Sequence, residues 1–309
     1  MHVERVLPAG WHADLLRRCE GLPPARTAVV HPCDVLALEG AVSAARAGLI
    51  VPVLVGNEEK IRAVARDASL DVSTYEIVSA AHSHAAAAIA VQMARAGNVE
   101  ALMKGSLHSD ELLHEVTQPL SGLHTERRMS HAFLVDVAAY PQPLVISDAV
   151  VNIAPTLDEK RDIVRNAVDL AHAVGIADVR VALLAAVETV SSKIQSTLDA
   201  AALCKMAERG QIPEGLLDGP LALDDALSPA AAMEKKIHSL VAGRANVLIV
   251  PDIDSGNVLV KALSLLAHAA LAGVVLGARV PIALASRADN VATRVASAAV
   301  ALLLARAAR

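Results

Sequence analysis

Aromatic side chains are almost missing from this 309-residue chain, which holds one Trp, two Tyr and one Phe. Trp11, Tyr75, Phe133 and Tyr140 are too few and too scattered to build the stacking platforms on which single-stranded nucleic acid lies. A positive excess is missing too. Lys and Arg total 28 against 33 Asp and Glu, a net charge of −5, which is the wrong sign for a protein that grips a phosphate backbone without reading sequence. No nucleic-acid partner is expected. The three cysteines, Cys19, Cys33 and Cys204, are far apart and lack CxxC spacing, so they read as reduced thiols of a cytoplasmic protein. The opening Met1-His2-Val3-Glu4-Arg5 lacks the basic-then-apolar layout of a secretory leader.

The usual catalytic signatures are absent as well. There is no GxGxxG, no GxxxxGK[ST], no GxSxG and no HExxH. His82 and His84 stand two apart in a helical pattern, where side chains do not share a face. No metal centre is expected. The longest uncharged stretch, Ala262 to Ala278, is interrupted by Ser264, His268, Gly273 and Gly277. It reads as a buried helix and a turn, not as a membrane span, and no membrane partner is expected.

What the chain does have is apolar material in alternating lengths: 54% of residues are hydrophobic and 20% charged, enough for a large core. Short runs read as strands at Thr27–Val30, Val51–Val55, Glu100–Met103, Pro143–Ser147, Val179–Ala186, Asn246–Val250 and Val280–Ala285. Between them, helical patterns run Leu36–Ala47, Ala80–Ala96, Leu157–Val174, Ser192–Arg209 and Ala230–Ala242, each followed by a glycine. Thr156 and Glu159 make a capping box for the third. The alternation predicts an α/β fold with mostly parallel sheets and helices on both faces, and the length suggests about two domains. In such sheets ligands bind beyond the carboxyl ends of the strands.

Four polar clusters follow predicted strands. Met103-Lys104-Gly105-Ser106 pairs a lysine with a glycine, which suits a phosphate, while a solvated turn lysine fits equally simply. Ser147-Asp148 with Asn152 places a carboxylate and an amide among apolar residues, where each needs a partner if buried. Val250 to Lys261 runs from a strand through Pro251-Asp252-Ile253-Asp254-Ser255-Gly256-Asn257 into a helix pattern over Val258–Ala272. Gly256 lets backbone approach a ligand, Asn257 is the expected cap, and Lys261 adds a cation one turn in; an ordinary capped helix is the plainer reading. Ser286-Arg287-Ala288-Asp289-Asn290 offers a guanidinium fork beside a carboxylate that serves as proton acceptor, pairs with Arg287 or caps the last helix. Arg127-Arg128-Met129-Ser130-His131 adds a basic pair before another apolar run.

Taken together and in order, Leu102-Met103-Lys104-Gly105, Arg128-Met129-Ser130-His131, Ser147-Asp148-Ala149 with Asn152 and Pro155, Gly219-Pro220-Leu221 with Asp224, Pro251-Asp252 with Ser255-Gly256-Asn257 and Lys261, and Ser286-Arg287-Ala288-Asp289 resemble the phosphate acetyltransferase / phosphate butyryltransferase family. The resemblance implies two three-layer α/β domains of isocitrate/isopropylmalate dehydrogenase-like architecture: residues 1–125 with 284–309, and 126–283, with the active cleft between them. It implies a homodimer or higher homo-oligomer, no permanently bound cofactor, and coenzyme A as a substrate. The implied reaction is reversible transfer of a short acyl group between coenzyme A and inorganic phosphate.

Carried over by position, Arg287 is the catalytic arginine and Ser286 the serine that helps hold the substrates. Arg128 matches an arginine of the substrate site, and Gly256 and Asn257 match the phosphate-side loop. Lys104, Ser130, Asp148, Asn152, Asp254, Ser255 and Lys261 complete the expected substrate-binding set. The chain departs from the acetyltransferase branch at two positions. Thr293 stands where that branch has its catalytic aspartate, and Leu265 where it tends to have an arginine. Asp289 is therefore the candidate general base, with Asp148 and Asp254 in reserve. A non-catalytic acyl-CoA-binding homologue and an isopropylmalate-dehydrogenase-like NAD oxidoreductase are the alternatives.

Overall fold

The computed structural model describes residues 10–120, 122–287 and 289–307, apart from the side chain of His12. The N-terminal pentapeptide considered above and Ala288 lie outside the described residues. The chain divides into two compact units, Met1–Arg127 with Ala272–Arg309, and Arg128–Leu271.

Unit 1 begins with α1 (Trp11–Cys19) and then alternates: β1 (Ala25–Val30), α2 (Val35–Arg46), β2 (Ile50–Gly56), α3 (Glu58–Asp67), β3 (Glu76–Ser79), α4 (Ser83–Arg95), β4 (Ala101–Lys104) and α5 (Ser109–Val116). Its strand order is β3-β2-β1-β4, all parallel. Ala28, Val29 and Val30 of β1 are fully buried, as befits a parallel strand covered on both faces. Asp34 starts α2 by accepting the Ala37 N–H at 2.7 Å, and Asn57 starts α3 by accepting that of Lys60 at 2.9 Å.

Unit 2 opens with an antiparallel pair, β5 (Ser130–Asp136) and β6 (Leu144–Ser147). There follow α6 (Leu157–Ala173), β7 (Arg180–Leu184), α7 (Gln195–Glu208), β8 (Leu216–Leu221), the short α8 (Leu223–Leu227) and α9 (Pro229–Glu234), β9 (Val247–Ile249) and α10 (Ile253–Leu266). The order here is β5-β6-β9-β7-β8, parallel from β6 onward. The Thr156–Glu159 capping box forms as expected at the head of α6. The core gathers Ile146, Ala182, Leu248, Val250 and Val260, so α10 buries one side on the sheet.

The chain passes into unit 1 again within β10 (Ala270–Leu276), turns antiparallel into β11 (Ile282–Ala283), which lies parallel to β4, and ends in α11 (Val291–Ala307). α11 packs on α1 and α2.

Two sequence expectations shift. The helix expected over Val258–Ala272 starts at Ile253 and stops at Leu266. Asp252, not Asn257, is its cap: the carboxylate accepts the Ser255 N–H at 2.9 Å and the Ser255 hydroxyl at 2.7 Å. The cap hydrogen bonds hold the Asp252 carboxyl below the usual range, the Ser255 N–H contributing most. Ala270 to Ala272, expected to stay helical, open β10 instead, because Leu271-Ala272-Gly273-Val274-Val275 is buried in the sheet and apolar on both faces. The helix expected over Ala230–Ala242 is cut to α9, ending before Lys236, which takes a positive φ of 57°. No helix among the described residues is long and apolar enough to cross a membrane.

Candidate functional site

In unit 1 the ends of β4 and β11 come together. The Gly105 and Ser106 N–H groups donate to Val30 O at 2.9 Å and His31 O at 3.0 Å, which fastens the loop after β4 to the end of β1. A Cβ at Gly105 would fall 2.3 Å from Val30 O, so backbone packing requires this glycine. Lys104, the last residue of β4, is 2% exposed, and its Nζ donates to Ala285 O at 3.3 Å. Burial, reinforced by the guanidinium groups of Arg294 and Arg287 and opposed by Asp289 and Asp34, lowers its pKa to about 8.

Beyond β11 the chain makes a tight turn. Asp289 Oδ2 accepts the Ser286 N–H at 2.6 Å, and Asp289 N–H donates back to Ser286 O at 3.1 Å. Burial raises the Asp289 carboxyl above the usual range, while the Ser286 N–H, Arg294 and Lys104 pull the other way. The capping role offered to Asp289 goes to Asn290, whose Oδ1 accepts the Thr293 N–H at 2.9 Å. Arg287 is exposed, with Nη1 3.3 Å from His108 Nε2. From α11, the buried Arg294 donates to Ser286 O at 3.1 Å and Lys104 O at 3.4 Å.

In unit 2 the polar residues form a second network. The Ser147–Asp148 peptide is cis. The Asp148 carboxylate accepts from the N–H groups of Val150, Val151 and Asn152 at 2.9, 3.0 and 3.1 Å and from Asn152 Nδ2 at 2.5 Å. Asn152 Oδ1 in turn accepts Arg128 Nε at 2.7 Å, and Arg128 Nη1 pairs with Glu159 Oε1 at 3.1 Å. Arg128 and Thr156 together hold the Glu159 carboxyl below its usual range, the Thr156 N–H most of all. The Arg128 backbone is fixed as well: its N–H donates to Asp162 and its carbonyl accepts Asn166 Nδ2, which also donates to the buried Ser130 hydroxyl at 2.9 Å.

α10 meets this loop closely. A Cβ at Gly256 would come within 2.8 Å of Asp148 O and 2.9 Å of Ala149 Cα, and Asn257 Nδ2 donates to Ala149 O at 3.4 Å. Gly256 thus admits a protein backbone against the helix. Asp254 and Lys261 are exposed on α10, and their side chains make no hydrogen bond or ion pair among the described residues. Asp224 belongs to a different group, pairing with Lys235 at 3.3 Å alongside Asp225.

The structure therefore brings Lys104, Ser286, Arg287 and Asp289 together in unit 1, and Arg128, Ser130, Asp148, Asn152, Gly256 and Asn257 in unit 2. Sequence reasoning missed His108, Asn166 and Arg294, and read Glu159 only as half of a capping box. Arg294 had a signal, being a charged residue four positions into the apolar helix α11; His108 had none beyond its place after Gly105. Among the described residues, no three metal-ligating side chains gather.

Comparison with known proteins bears out the family resemblance. Residues 79–302 match the family described as Phosphate acetyl/butaryl transferase. A Phosphate acetyltransferase of Rhizobium meliloti is 58% identical over 282 residues, 91% of this chain and 89% of that protein. A Phosphate butyryltransferase of Clostridium beijerinckii is 37% identical over 94% of this chain and 97% of that protein. Among solved structures, a branched-chain phosphotransacylase from Enterococcus faecalis superposes with a TM-score of 0.77 at 27% identity, covering 91% of this chain and 99% of that one.

Proposed function

The chain belongs to the phosphate acetyl/butyryltransferase family, and from that premise we infer which of its residues carry the reaction. The protein transfers an acetyl or butyryl group reversibly between coenzyme A and inorganic phosphate. In the direction of acyl-CoA, the coenzyme A thiol must lose its proton, because the thiolate is the nucleophile. Asp289 takes that proton. Its burial favours the protonated form, which makes its carboxylate a stronger base than an ordinary aspartate. The thiolate attacks the acyl-phosphate carbonyl carbon, the bond to the phosphate oxygen breaks, and phosphate leaves with the electron pair. In reverse, a phosphate oxygen attacks the thioester and the thiolate recovers the proton from Asp289.

Arg287, exposed at the turn, presents its fork to the phosphate or to the oxyanion that forms on the carbonyl. Lys104 adds a second positive charge behind it, and Ser286 contributes its hydroxyl. In unit 2, Arg128, held by Asn152 and Glu159, and the loop braced by Asp148, Gly256 and Asn257 bind the substrates, with Ser130, Asp254, Ser255 and Lys261 contributing. The two sets of residues serve one reaction in a cytoplasmic homodimer. Exposed Val258, Leu265 and Leu266 on α10, with Ile153, supply the apolar surface that favours self-association. The observation that carries this reading is the Ser286–Asp289 turn, which sets a partly buried carboxyl beside an exposed arginine and a buried lysine.

The test is phosphate-dependent release of free thiol from acetyl-, propionyl-, butyryl- and octanoyl-CoA by the purified protein. Release with a short acyl-CoA supports the reading and gives the chain-length preference. One methylene in an aliphatic pocket is worth about 1–3 kcal/mol, enough to resolve neighbours in the series. Coenzyme A binding with no release from any member would favour a non-catalytic homologue.

A further inference from the structure

We propose that Arg294 is a positioning residue for acyl transfer: its buried guanidinium clamps the carbonyls of Ser286 and Lys104 and thereby fixes the turn that carries Arg287 and Asp289. The proposal rests on the roles assigned to those two residues above. Arg294 is 0% exposed, the largest side chain so buried among the described residues. A buried charge is costly unless it is paired and hydrogen-bonded. Arg294 forms no ion pair within 4.0 Å among the described residues. It spends Nη2 on Ser286 O at 3.1 Å and Nη1 on Lys104 O at 3.4 Å, and its Nε has no partner among the described residues. Both acceptors are backbone atoms of the candidate site. Ser286 is held from both sides, since its N–H donates to Asp289 and its carbonyl accepts from Asp289 N–H and from Arg294.

The helix facing Arg294 has been fitted to it. Gly40 sits inside α2, where glycine is a poor helix former. A Cβ there would lie 2.7 Å from Arg294 Cδ and 3.0 Å from its Cβ. The fork geometry matters, because a lysine ammonium is a single point and cannot span two carbonyls in the same way.

The charge acts alongside the geometry. Asp289, on the turn, faces the positive charges of Arg294 from α11 and Lys104 from β4. Asp34, at the head of α2, faces Arg294 and Lys104, and Arg287 faces Lys104. Removing the Arg294 charge leaves the Asp289 carboxyl with less to hold it ionised, so its pKa rises further. The base is then protonated at a higher pH, and the acid limb of the activity profile moves up.

The experiment compares R294K, R294M, G40A and R287A in the thiol-release assay, with turnover normalised to folded protein. R294K should lose about tenfold or more in kcat, with KM for acyl-CoA within about threefold and the acid limb in place. R294M should lose at least as much and move the acid limb to higher pH. G40A, which changes no polar atom, should lose part of kcat by displacing the guanidinium. If R294K and G40A keep kcat within about twofold of the wild type, the proposal is overturned, whatever happens to the melting temperature; these two decide the matter if R294M does not fold. Wild-type turnover in R287A would instead sink the assignment of Arg287, whereas an inactive R287A beside an unimpaired R294K would sink the clamp alone.

Discussion

Asp148 follows β6 in unit 2, Asp289 follows β11 in unit 1, and each folds its carboxylate back onto the N–H groups of its own turn. Asp148 is 3% exposed and accepts four hydrogen bonds, three from successive backbone N–H groups and one from Asn152 Nδ2. Among the described residues Asp289 accepts one, from Ser286. A carboxylate has about four lone-pair sites. Asp148 is therefore saturated by its own loop and works as a brace, whereas Asp289 keeps acceptor capacity for a substrate proton. Burial reinforces the contrast by raising the Asp289 carboxyl. The type of residue and its place after a strand are alike in the two turns; the number of donors aimed at the carboxylate separates them.

The sharpest way to break the comparison is to neutralise each aspartate. D289N should lose about 10²–10⁴ in kcat, the range for removing a general base. Its melting temperature should change little, because the amide oxygen still accepts the Ser286 N–H. D148N should behave in the opposite sense. An amide presents two donors to a loop that already supplies four, so D148N should be less stable by about 1–3 kcal/mol in denaturant titration. Its kcat per folded molecule should fall by only a few-fold. A large kcat loss in a fully stable D148N would erase the distinction.

A smaller effect comes from the buried lysine beside the Asp289 turn. The Lys104 pKa is lowered to about 8, so its positive charge is present below that pH and lost as the pH rises through it. Turnover should decline over that range as the anionic substrate loses a stabilising charge, and K104R should extend activity to higher pH. An alkaline limb unchanged in K104R would remove Lys104 from the account.

Much of this arrangement was legible in the sequence. Strand-length apolar runs located β1, β2, β4, β6, β7, β9 and β11, and the ordered motifs fell at or just beyond strand ends, apart from Arg128–His131, which leads into β5. The less legible parts have physical reasons. β10 is buried on both faces and so carries no alternation, which let its first residues, to Ala272, pass as a continuation of α10. The cap of α10 was misread because Gly256 looked like a loop residue. It is a helical residue whose missing side chain admits the backbone of Asp148 and Ala149, a contact between distant segments that no local pattern reveals. For Arg294 the clue was divided between two helices, a charge in one and a glycine in the other.

The central claim is that Asp289, and not Asp148, is the proton acceptor. The most direct test is the pH dependence of kcat/KM for wild type, D289N and D148N under identical conditions. The account predicts an acid limb in wild type and D148N, displaced above the ordinary aspartate value of about 3.9, with no such limb in the residual activity of D289N. An acid limb that survives in D289N and vanishes in D148N would contradict it.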